Sequence, residues 1–529
     1  MTLDSSIVGA YFLLIFFAGY IISRKYRDAS AQEFLTGGRT LPWYRMALTM
    51  FAMASDPGII GLAGIGFIWG LYPIQWTSVH IWITASFAAM FMIPIYWRTN
   101  ITTTPELLEK RFNVQCRAFF SLVMVAVLVI TLAFGVYLGA LLLKNFLGWS
   151  FWMGVVLICA VAGFYVISGG MRTVLALDFY QGLFLLAAQF TVGGMALWKL
   201  GGIRGLASIE GLNKAGTPLV SMIPPRDYSM TSDVFYPLPA ILTWGIVVGV
   251  SWLACNFGLV QRLLTAKSER DAQKGIMLMG AIASFSVIPG YIAGVMVRTM
   301  MPDILPDEAY LKIVFTMFPV GVRGLIIAGL MAALLSTIDG MFTASSALLT
   351  EDIYLRFLRP GAGNREIKHF SRIVQATIMA ITFFIIPAIM KSESAVTFLQ
   401  MMYGDFLGVV IALYLAGIFS RRATPRAALF SMISGIAVAV MLDIFTPLNF
   451  AYVGLFSFLY ALTGTLVLSR FENPLSDERL KNLTIYTVED AKGPFIGLKA
   501  WPGMWKWAIG LVVGWFTVSL IWELYVASV

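Results

Sequence analysis

The sequence predicts an all-α integral membrane protein, and two observations establish that class. The chain has 529 residues, of which 59% are hydrophobic and only 12% are charged, and its mean hydropathy is +0.81. A soluble domain needs a larger share of charged residues to cover its surface. Apolar stretches of about 20 residues recur along the chain, and each is long enough to cross a bilayer as a helix.

Fourteen apolar stretches are predicted to span the membrane, and the polar gaps between them are too short for a soluble domain. The predicted spans are 6–23, 43–71, 75–97, 118–147, 151–168, 178–200, 236–260, 276–298, 322–350, 372–391, 394–419, 427–447, 449–470 and 505–527.

The net charge of +9 orients the chain in its membrane and does not indicate a nucleic-acid partner. With the N-terminus outside, the predicted cytoplasmic loops and the adjoining ends of their spans hold 28 of the 37 Lys and Arg residues, and the external segments with their span ends hold the other 9. Positive residues accumulate in the cytoplasmic loops of membrane proteins. We therefore expect a multi-pass protein of the plasma (inner) membrane with both termini external.

Residue chemistry gives little support to an enzyme or an ATP-driven pump. The 3 cysteines and 2 histidines are scattered, so they form no metal-binding spacing. The sequence has no phosphate-binding loop of the ATP-binding type. A transporter-like solute sensor would need a signalling domain, for which the chain leaves no room.

The second predicted span carries an interruption near its middle. Asp56, Pro57 and Gly58 follow one another inside the apolar stretch 43–71. Proline lacks an amide hydrogen and glycine tolerates open backbone conformations. We predict a broken helix whose free carbonyl groups can coordinate a cation. The alternative is a proline kink with Asp56 in a polar pocket.

The seventh span, 236–260, has a second weak point at Gly245 and Gly249, five helices after the first. Interrupted helices at matching positions in two halves indicate an inverted-repeat transporter. The alternative is that both glycines serve only close helix packing.

The ninth span, 322–350, carries hydroxyl and carboxylate groups among apolar residues. Helical spacing puts Ala333, Ser336, Thr337 and Gly340 on one face, beside a stripe formed by Ser336, Asp339, Thr343 and Ser346. Oxygen ligands suit a small hard cation such as sodium. The alternative is that hydroxyls bond to carbonyls one turn earlier, which we expect for Thr343 and Ser345.

Five stretches, taken together and in order, resemble the sodium:solute symporter family, whose bacterial members include sodium/galactose, sodium/proline and sodium/sialic-acid transporters. They are EFLTGGRTLPW (Glu33–Trp43), TTTPELLEKRF (Thr102–Phe112), SGGMRTVLALDFYQG (Ser168–Gly182), NFGLVQRLLTAKSERDAQKG (Asn256–Gly275) and AALLSTIDGMFTASSALLTEDIY (Ala332–Tyr354).

The resemblance implies the leucine-transporter fold, with two inverted repeats of five helices. Residues 1–42 would hold an extra first helix and its loop, 43–235 the first repeat and a loop, 236–419 the second repeat, and 420–529 additional C-terminal helices. All would form one membrane transport domain. We expect a monomer that binds sodium, a solute and the lipid bilayer.

The resemblance also implies a sodium site between the broken first core helix and the eighth. Its ligands would be the carbonyl groups of Ala54, Pro57 and Ala333 and the hydroxyl groups of Ser336 and Thr337. A possible second sodium would use Asp178 and Ser336, with Asp339 and Gly340 at positions where some relatives have serines. The alternative for Asp178 is an intracellular gate residue.

The resemblance places the solute near the middle of the membrane. The matching positions are Gln75, Ser78, Thr131, Trp252 and Gln400; Trp252 matches an aromatic inner gate. For Gln75 and Gln400, a hydrogen bond between helices is the alternative. We therefore expect a sodium-coupled symporter, and no enzyme, that imports a small polar organic solute: a sugar, a carboxylate or an amino acid. Proton coupling through Asp56, Asp178 or Asp339 is the alternative.

Overall fold

A computed structural model describes residues 2–26, 28–55, 58–232, 238–390, 395–488 and 496–529. Its first ten helices are α1 (Thr2–Lys25), α2 (Ala31–Thr36), α3 (Trp43–Ala54), α4 (Gly58–Trp69), α5 (Pro73–Phe87), α6 (Ile93–Thr99), α7 (Thr104–Arg111), α8 (Val114–Leu147), α9 (Phe151–Lys199) and α10 (Gly202–Ala207). A π-helical turn, Ala88–Met92, joins α5 to α6.

The second half of the chain is also helical. Its elements are α11 (Leu238–Ala254), α12 (Phe257–Leu263), α13 (Glu269–Ser286), α14 (Ile288–Met300), α15 (Ala309–Met317), α16 (Val322–Leu348), α17 (Asn364–Ile389), α18 (Ala395–Phe419), α19 (Pro425–Phe445), α20 (Phe450–Leu468) and α21 (Met504–Ser528). A π-helical segment, Leu349–Leu358, extends α16, and short 3₁₀ turns lie at Pro306–Glu308, Ser469–Phe471 and Ile496–Lys499.

Among the described residues, 11 helices are long and apolar enough to cross a membrane. The remaining predicted spans differ in form. Spans 43–71 and 236–260 each consist of two shorter helices, and spans 151–168 and 178–200 both belong to α9, which runs for 49 residues. The count of fourteen spans stays a prediction.

Local sequence explains where several helices begin and bend. Side chains at the N-termini accept hydrogen bonds from backbone amides of the first turn, as at Asn113 of α8 and Ser268 of α13. Gly170 bends α9 with φ 61° and ψ −161°. A Cβ atom there would lie 2.6 Å from the carbonyl oxygen of Phe34, so only glycine fits the bend.

The first broken helix is confirmed, because α3 ends at Ala54 and α4 begins at Gly58. Asp56 and Pro57 themselves lie outside the described residues. The position predicted for the second break is wrong. Helix α11 continues through Gly245 and Gly249 and ends at Ala254. A Cβ atom on Gly249 would come within 2.9 Å of His80, so this glycine serves close helix packing.

Asn256 defines the second break. The amides of Cys255 and Asn256 both donate to the Ser251 carbonyl oxygen at 2.9 Å, which ends α11. The Asn256 side chain then accepts the Gly258 amide at 2.9 Å and starts α12. An asparagine cap therefore separates the two helices, so the break lies after the glycines.

Helix α16 occupies the centre of the structure. It packs against α1, α3, α8, α9 and α12, and every residue from Ile326 to Leu348 is buried. A residue of another helix caps its N-terminus: Asp4 of α1 accepts hydrogen bonds from the Gly321 and Gly324 amides at 2.7 and 2.9 Å. The negative carboxylate also suits the positive end of the helix.

A buried arginine fixes the short helix α7 to the end of α18. Arg111 donates to the carbonyl oxygens of Gly417, Ser420 and Ala423 at 2.7, 2.7 and 3.1 Å. Its burial lowers the pKa of the guanidinium to about 10, so the group stays charged at neutral pH. The positive guanidinium group interacts favourably with the negative C-terminal end of α18.

Candidate functional site

The broken end of α3 lies against the middle of α16. Because α3 ends at Ala54, the carbonyl groups of its last turn have no partner within the helix. The Thr337 hydroxyl donates to one of them, the Met53 carbonyl oxygen, at 3.1 Å. Ala333 and Ser336, on the same face of α16, are 3% and 0% exposed. The described ligands predicted for the first sodium thus lie on the two facing segments.

Three charged side chains meet beside this point, and all three are 0% exposed. Arg262 of α12 donates to Asp178 Oδ2 of α9 through Nε at 3.0 Å and through Nη2 at 2.6 Å. Its Nη2 also lies 3.5 Å from Asp339 Oδ1 of α16. We call these three residues the charged cluster.

Two hydroxyl groups complete the hydrogen bonds of the charged cluster. Tyr165 donates to Asp339 Oδ2 at 2.8 Å, and Ser336 donates to Asp178 Oδ1 at 2.6 Å. Ser336 therefore belongs both to the charged cluster and to the face of α16 that meets α3. With both aspartates and the arginine ionised, the charged cluster carries a net charge of −1.

The structure brings Asp178, Asp339 and Ser336 together, as the sequence analysis expects. Arg262 and Tyr165 are the members that sequence reasoning missed. An arginine in the apolar stretch after Asn256 was the available signal, because a charge at membrane depth requires a partner. Gly340 is also needed for close packing. A Cβ atom there would lie 3.0 Å from both terminal nitrogens of Arg262, so Gly340 leaves room for the guanidinium.

Two of the predicted solute residues come together around a tyrosine that sequence reasoning missed. The ring of Trp252 lies against that of Tyr403, with centroids 4.8 Å apart and planes tilted by 35°. The Tyr403 hydroxyl lies 3.2 Å from the Thr131 hydroxyl. Helices α8, α11 and α18 each contribute one of these side chains, which we call the aromatic site.

Gln75 and Ser78 do not join the aromatic site. The Gln75 amide donates to Ser519 at 2.6 Å and accepts from the Trp515 indole at 2.9 Å, both on α21. Ser78 donates to the Ser284 carbonyl oxygen of α13 at 3.3 Å. Both residues therefore hold helices together, as the alternative interpretation of Gln75 expects. The side chain of Gln400 lies outside the described residues.

Asn256 offers a further polar group at the second break. It is 0% exposed, and its Nδ2 has no hydrogen-bond partner among the described residues. The break lies four residues after Trp252 in the chain. A buried amide without a partner is costly, so this group indicates a position where a polar ligand can bind.

The hydroxyl groups of Thr343, Ser345 and Ser346, near the end of α16, differ in their hydrogen bonds. Thr343 donates to the Asp339 carbonyl oxygen at 3.0 Å, which confirms the expected bond within the helix. Ser346 lies 2.7 Å from the Ser371 hydroxyl of α17. The expectation for Ser345 is wrong, because its hydroxyl has no partner within the described part of the chain.

A sequence model of the sodium:solute symporter family matches residues 34–435, which is most of the chain. The chain belongs to the sodium:solute symporter family. Over 513 residues the symporter is 27% identical to the sodium/glucose cotransporter of Vibrio parahaemolyticus, covering 91% of this chain and 93% of that relative. It is also 27% identical to sodium/glucose cotransporter 4 of Danio rerio over 473 residues, covering 83% and 71%.

Solved structures confirm the predicted fold class of the symporter. A Na⁺-coupled sialic acid symporter superimposes with a TM-score of 0.76 at 20% identity, over 90% of this chain and 99% of that one. Mhp1, a nucleobase-cation-symport-1 family transporter, gives 0.55 at 14% identity, over 85% and 97%. The symporter therefore has the leucine-transporter fold of a sodium-coupled transporter in a membrane, and it is not an enzyme.

The charged cluster predicts a specific pattern of thermal stability. Arg262→Ala leaves two buried carboxylates without a counter-charge, and removing one partner of a buried pair costs about 3–5 kcal/mol. We expect the melting temperature of the purified protein to fall strongly. Adding Asp178→Asn to that variant should recover part of the loss, because it restores the net charge of −1.

The matched control is Arg359→Ala. This arginine pairs with Glu366 at 3.2 Å, and the two side chains are 67% and 39% exposed. Exposed pairs contribute about 0–1 kcal/mol, so its melting temperature should barely change. A double variant that is no more stable than Arg262→Ala would contradict the charge argument.

Proposed function

We propose that this protein imports a small neutral solute with several hydroxyl groups, a sugar or polyol, together with sodium. The observation that carries the sodium part is the Thr337 hydroxyl at 3.1 Å from the Met53 carbonyl oxygen at the broken end of α3. The solute part is supported by the aromatic site and by relatives that are named sodium/glucose, sodium/mannose and sodium/myo-inositol cotransporters.

The first sodium is proposed to bind between α3 and α16. Its ligands would be the carbonyl groups of Ala54, Pro57 and Ala333 and the hydroxyl groups of Ser336 and Thr337. Ser336 gives its hydrogen to Asp178, so the lone pairs of its oxygen are free to face a cation. Thr337 would give up its bond to Met53 and turn its oxygen to the ion.

The proposed solute position lies at the aromatic site and near Asn256. Trp252 and Tyr403 offer ring faces on which the apolar face of a sugar ring can pack. Thr131, Tyr403 and Asn256 offer neutral hydrogen-bonding groups. A carboxylate solute would need a positive partner. Arg262, six residues after Asn256 in the chain, is already paired with two aspartates. This favours a neutral solute.

Alternating access would couple the two ligands. Sodium bound between the two facing segments holds α3 against α16, which completes the solute position in one state. Movement of the broken helices against α8, α9 and α16 then exposes both ligands on the other side. The membrane potential contributes about 2.3 kcal/mol per charge for each 100 mV.

A second sodium is proposed at the charged cluster, for reasons of charge. A net charge of −1 without exposure to solvent is unfavourable in the membrane interior. One more monovalent cation beside Asp178, Ser336 and Asp339 would neutralise it. Proton coupling is the competing possibility, since a proton on either aspartate would neutralise the cluster equally well.

We predict that Ser336→Ala combined with Thr337→Ala raises the sodium concentration needed for half-maximal uptake at least tenfold, because two ligands are lost. A tenfold change corresponds to about 1.4 kcal/mol of binding free energy. A thermal-shift screen of sugars, carboxylates and amino acids, each with and without sodium, would first identify the solute for uptake. Ser346→Ala is the matched control on the same helix and should leave the sodium dependence unchanged. An unchanged dependence in the double variant would remove this site.

For the second sodium, we predict that two charges enter with each neutral solute in wild-type proteoliposomes. Asp339→Asn should reduce the ratio to one, because the pair of Arg262 and Asp178 is then neutral by itself. Reversal potentials across sodium gradients measure the ratio. Asp443→Asn, which removes an acid near the end of α19, should leave it at two. A wild-type ratio of one at neutral pH would argue against the second ion, and a ratio that follows the pH gradient would indicate a proton.

We also propose that both termini are external in the plasma membrane, since 28 of the 37 Lys and Arg residues fall in loops and adjoining span ends on the opposite side. A cysteine added after Val529 should react with a membrane-impermeant thiol reagent on cells whose outer layers are opened. The three native cysteines are buried, so they give a low background. Reaction only after lysis of the membrane would reverse the orientation.

A further inference from the structure

A cavity of about 370 Å³ lies where α1 ends and α3 begins. The segment between α2 and α3 and the part of α9 that follows Gly170 close its other sides. Its lining includes Lys25, Tyr26, Arg45, Arg172, Phe179 and Tyr180. It has the size of a small-molecule site.

The cavity has a positive lining. It contains Lys25, Arg45 and Arg172, and its lining includes no acidic residue. Arg172 is paired with Glu33. A hydrogen bond from the Ser30 amide lowers the pKa of Glu33 below its ordinary value, and the charge of Arg172 lowers it further. This acid therefore stays ionised. With the carboxylate of Glu33 and the three positive side chains counted together, the charge around the cavity is about +2 at neutral pH.

Aromatic rings hold the three basic groups in place. The guanidinium of Arg172 lies 5.3 Å from the centre of the Tyr26 ring, and the Lys25 ammonium lies 5.9 Å from the same ring. Arg45 lies 5.2 Å from the Phe179 ring. The Nε of Arg172 is buried and has no hydrogen-bond partner among the described residues. Donors with fixed positions are thus available to an anion.

The surroundings of the cavity are apolar and exposed. Tyr180 is 64% exposed, and Leu183, one turn further along α9, is 45% exposed. Ile21, one turn before Lys25, is 67% exposed. Trp43 and Tyr44 precede Arg45 and are 38% and 45% exposed. Aromatic residues next to basic ones are typical of the boundary between membrane and water.

We propose that this cavity binds the phosphate-bearing headgroup of an anionic phospholipid. Arginine forks match phosphate oxygens in two-point hydrogen bonds, and basic pockets between membrane helices bind such headgroups. Free phosphate shares the headgroup's chemistry, but the exposed side chains of Ile21, Tyr180 and Leu183 are suited to acyl chains. A bound headgroup would join α3, which carries the predicted sodium ligand Ala54, to α1 and α9.

Native mass spectrometry of the purified full-length protein tests this proposal. Delipidated protein is mixed with phosphatidylglycerol or with phosphatidylcholine of the same acyl chains, and the bound lipid is counted. We expect wild type to retain phosphatidylglycerol at least fivefold better than phosphatidylcholine. Arg45→Gln and the double variant Arg45→Gln, Arg172→Gln should lose that preference, and Arg421→Gln, at another exposed arginine, should keep it.

Three results would overturn the proposal. One is equal retention of the two lipids by wild type. Another is an unchanged preference in the double variant. The third is complete displacement of phosphatidylglycerol by millimolar inorganic phosphate, which would make the cavity a site for a free anion. Arg45 makes its ring contact at the surface, so Arg45→Gln keeps the test informative even if removal of the Arg172 pair with Glu33 prevents folding.

Discussion

The pairing of Arg262 with Asp178 constrains the arrangement of helices around the centre of the symporter. Both side chains are 0% exposed, and an arginine at membrane depth without a partner is strongly unfavourable. Helices α9 and α12 must therefore lie close enough for two hydrogen bonds, at 3.0 and 2.6 Å. Gly340 of α16 leaves the space that the guanidinium occupies. The position of α16, and with it the predicted sodium site, depends on this contact.

Features that depend on neighbouring residues were predictable from the sequence. The break after Ala54 follows from adjacent proline and glycine, and the helical face of Ala333, Ser336 and Thr337 follows from spacing alone. Gly245 and Gly249 show the limit of such reasoning. Glycine permits either a break or close packing, and only the neighbouring helix decides which. Here His80 lies against Gly249, and the break occurs where Asn256 can cap a new helix.

Features that depend on distant parts of the chain were not predictable in the same way. Gln75 contacts residues of α21 that lie 440 and 444 positions further along, so no local pattern distinguishes a helix contact from a solute contact. Arg262 and Asp178 are 84 residues apart. The resemblance to a family placed Asp178 near Ser336, but the identity of its positive partner required the structure. Tyr403 was missed because a tyrosine in an apolar span has many uses.

Backbone hydrogen bonds join the start of α3 to the segment after α12, so the two broken helices are connected. Leu41, just before α3, donates its amide to the Thr265 carbonyl oxygen at 2.9 Å and accepts the Lys267 amide at 3.0 Å. Thr265 and Lys267 lie in the short loop between α12 and α13. A movement that draws α3 away from α16 would therefore carry α12 with it.

That shared movement has a consequence for coupling. Separation of α3 from α16 opens the contact between Met53 and Thr337, and displacement of α12 from α9 opens the contact between Arg262 and Asp178. Ser336 touches both places, because its hydroxyl donates to Asp178 while its helix face meets α3. We infer that the facing segments of α3 and α16 and the charged cluster open as one unit. Ions bound at the proposed positions would stabilise both contacts in their closed form, so opening of this unit would require that the ions leave.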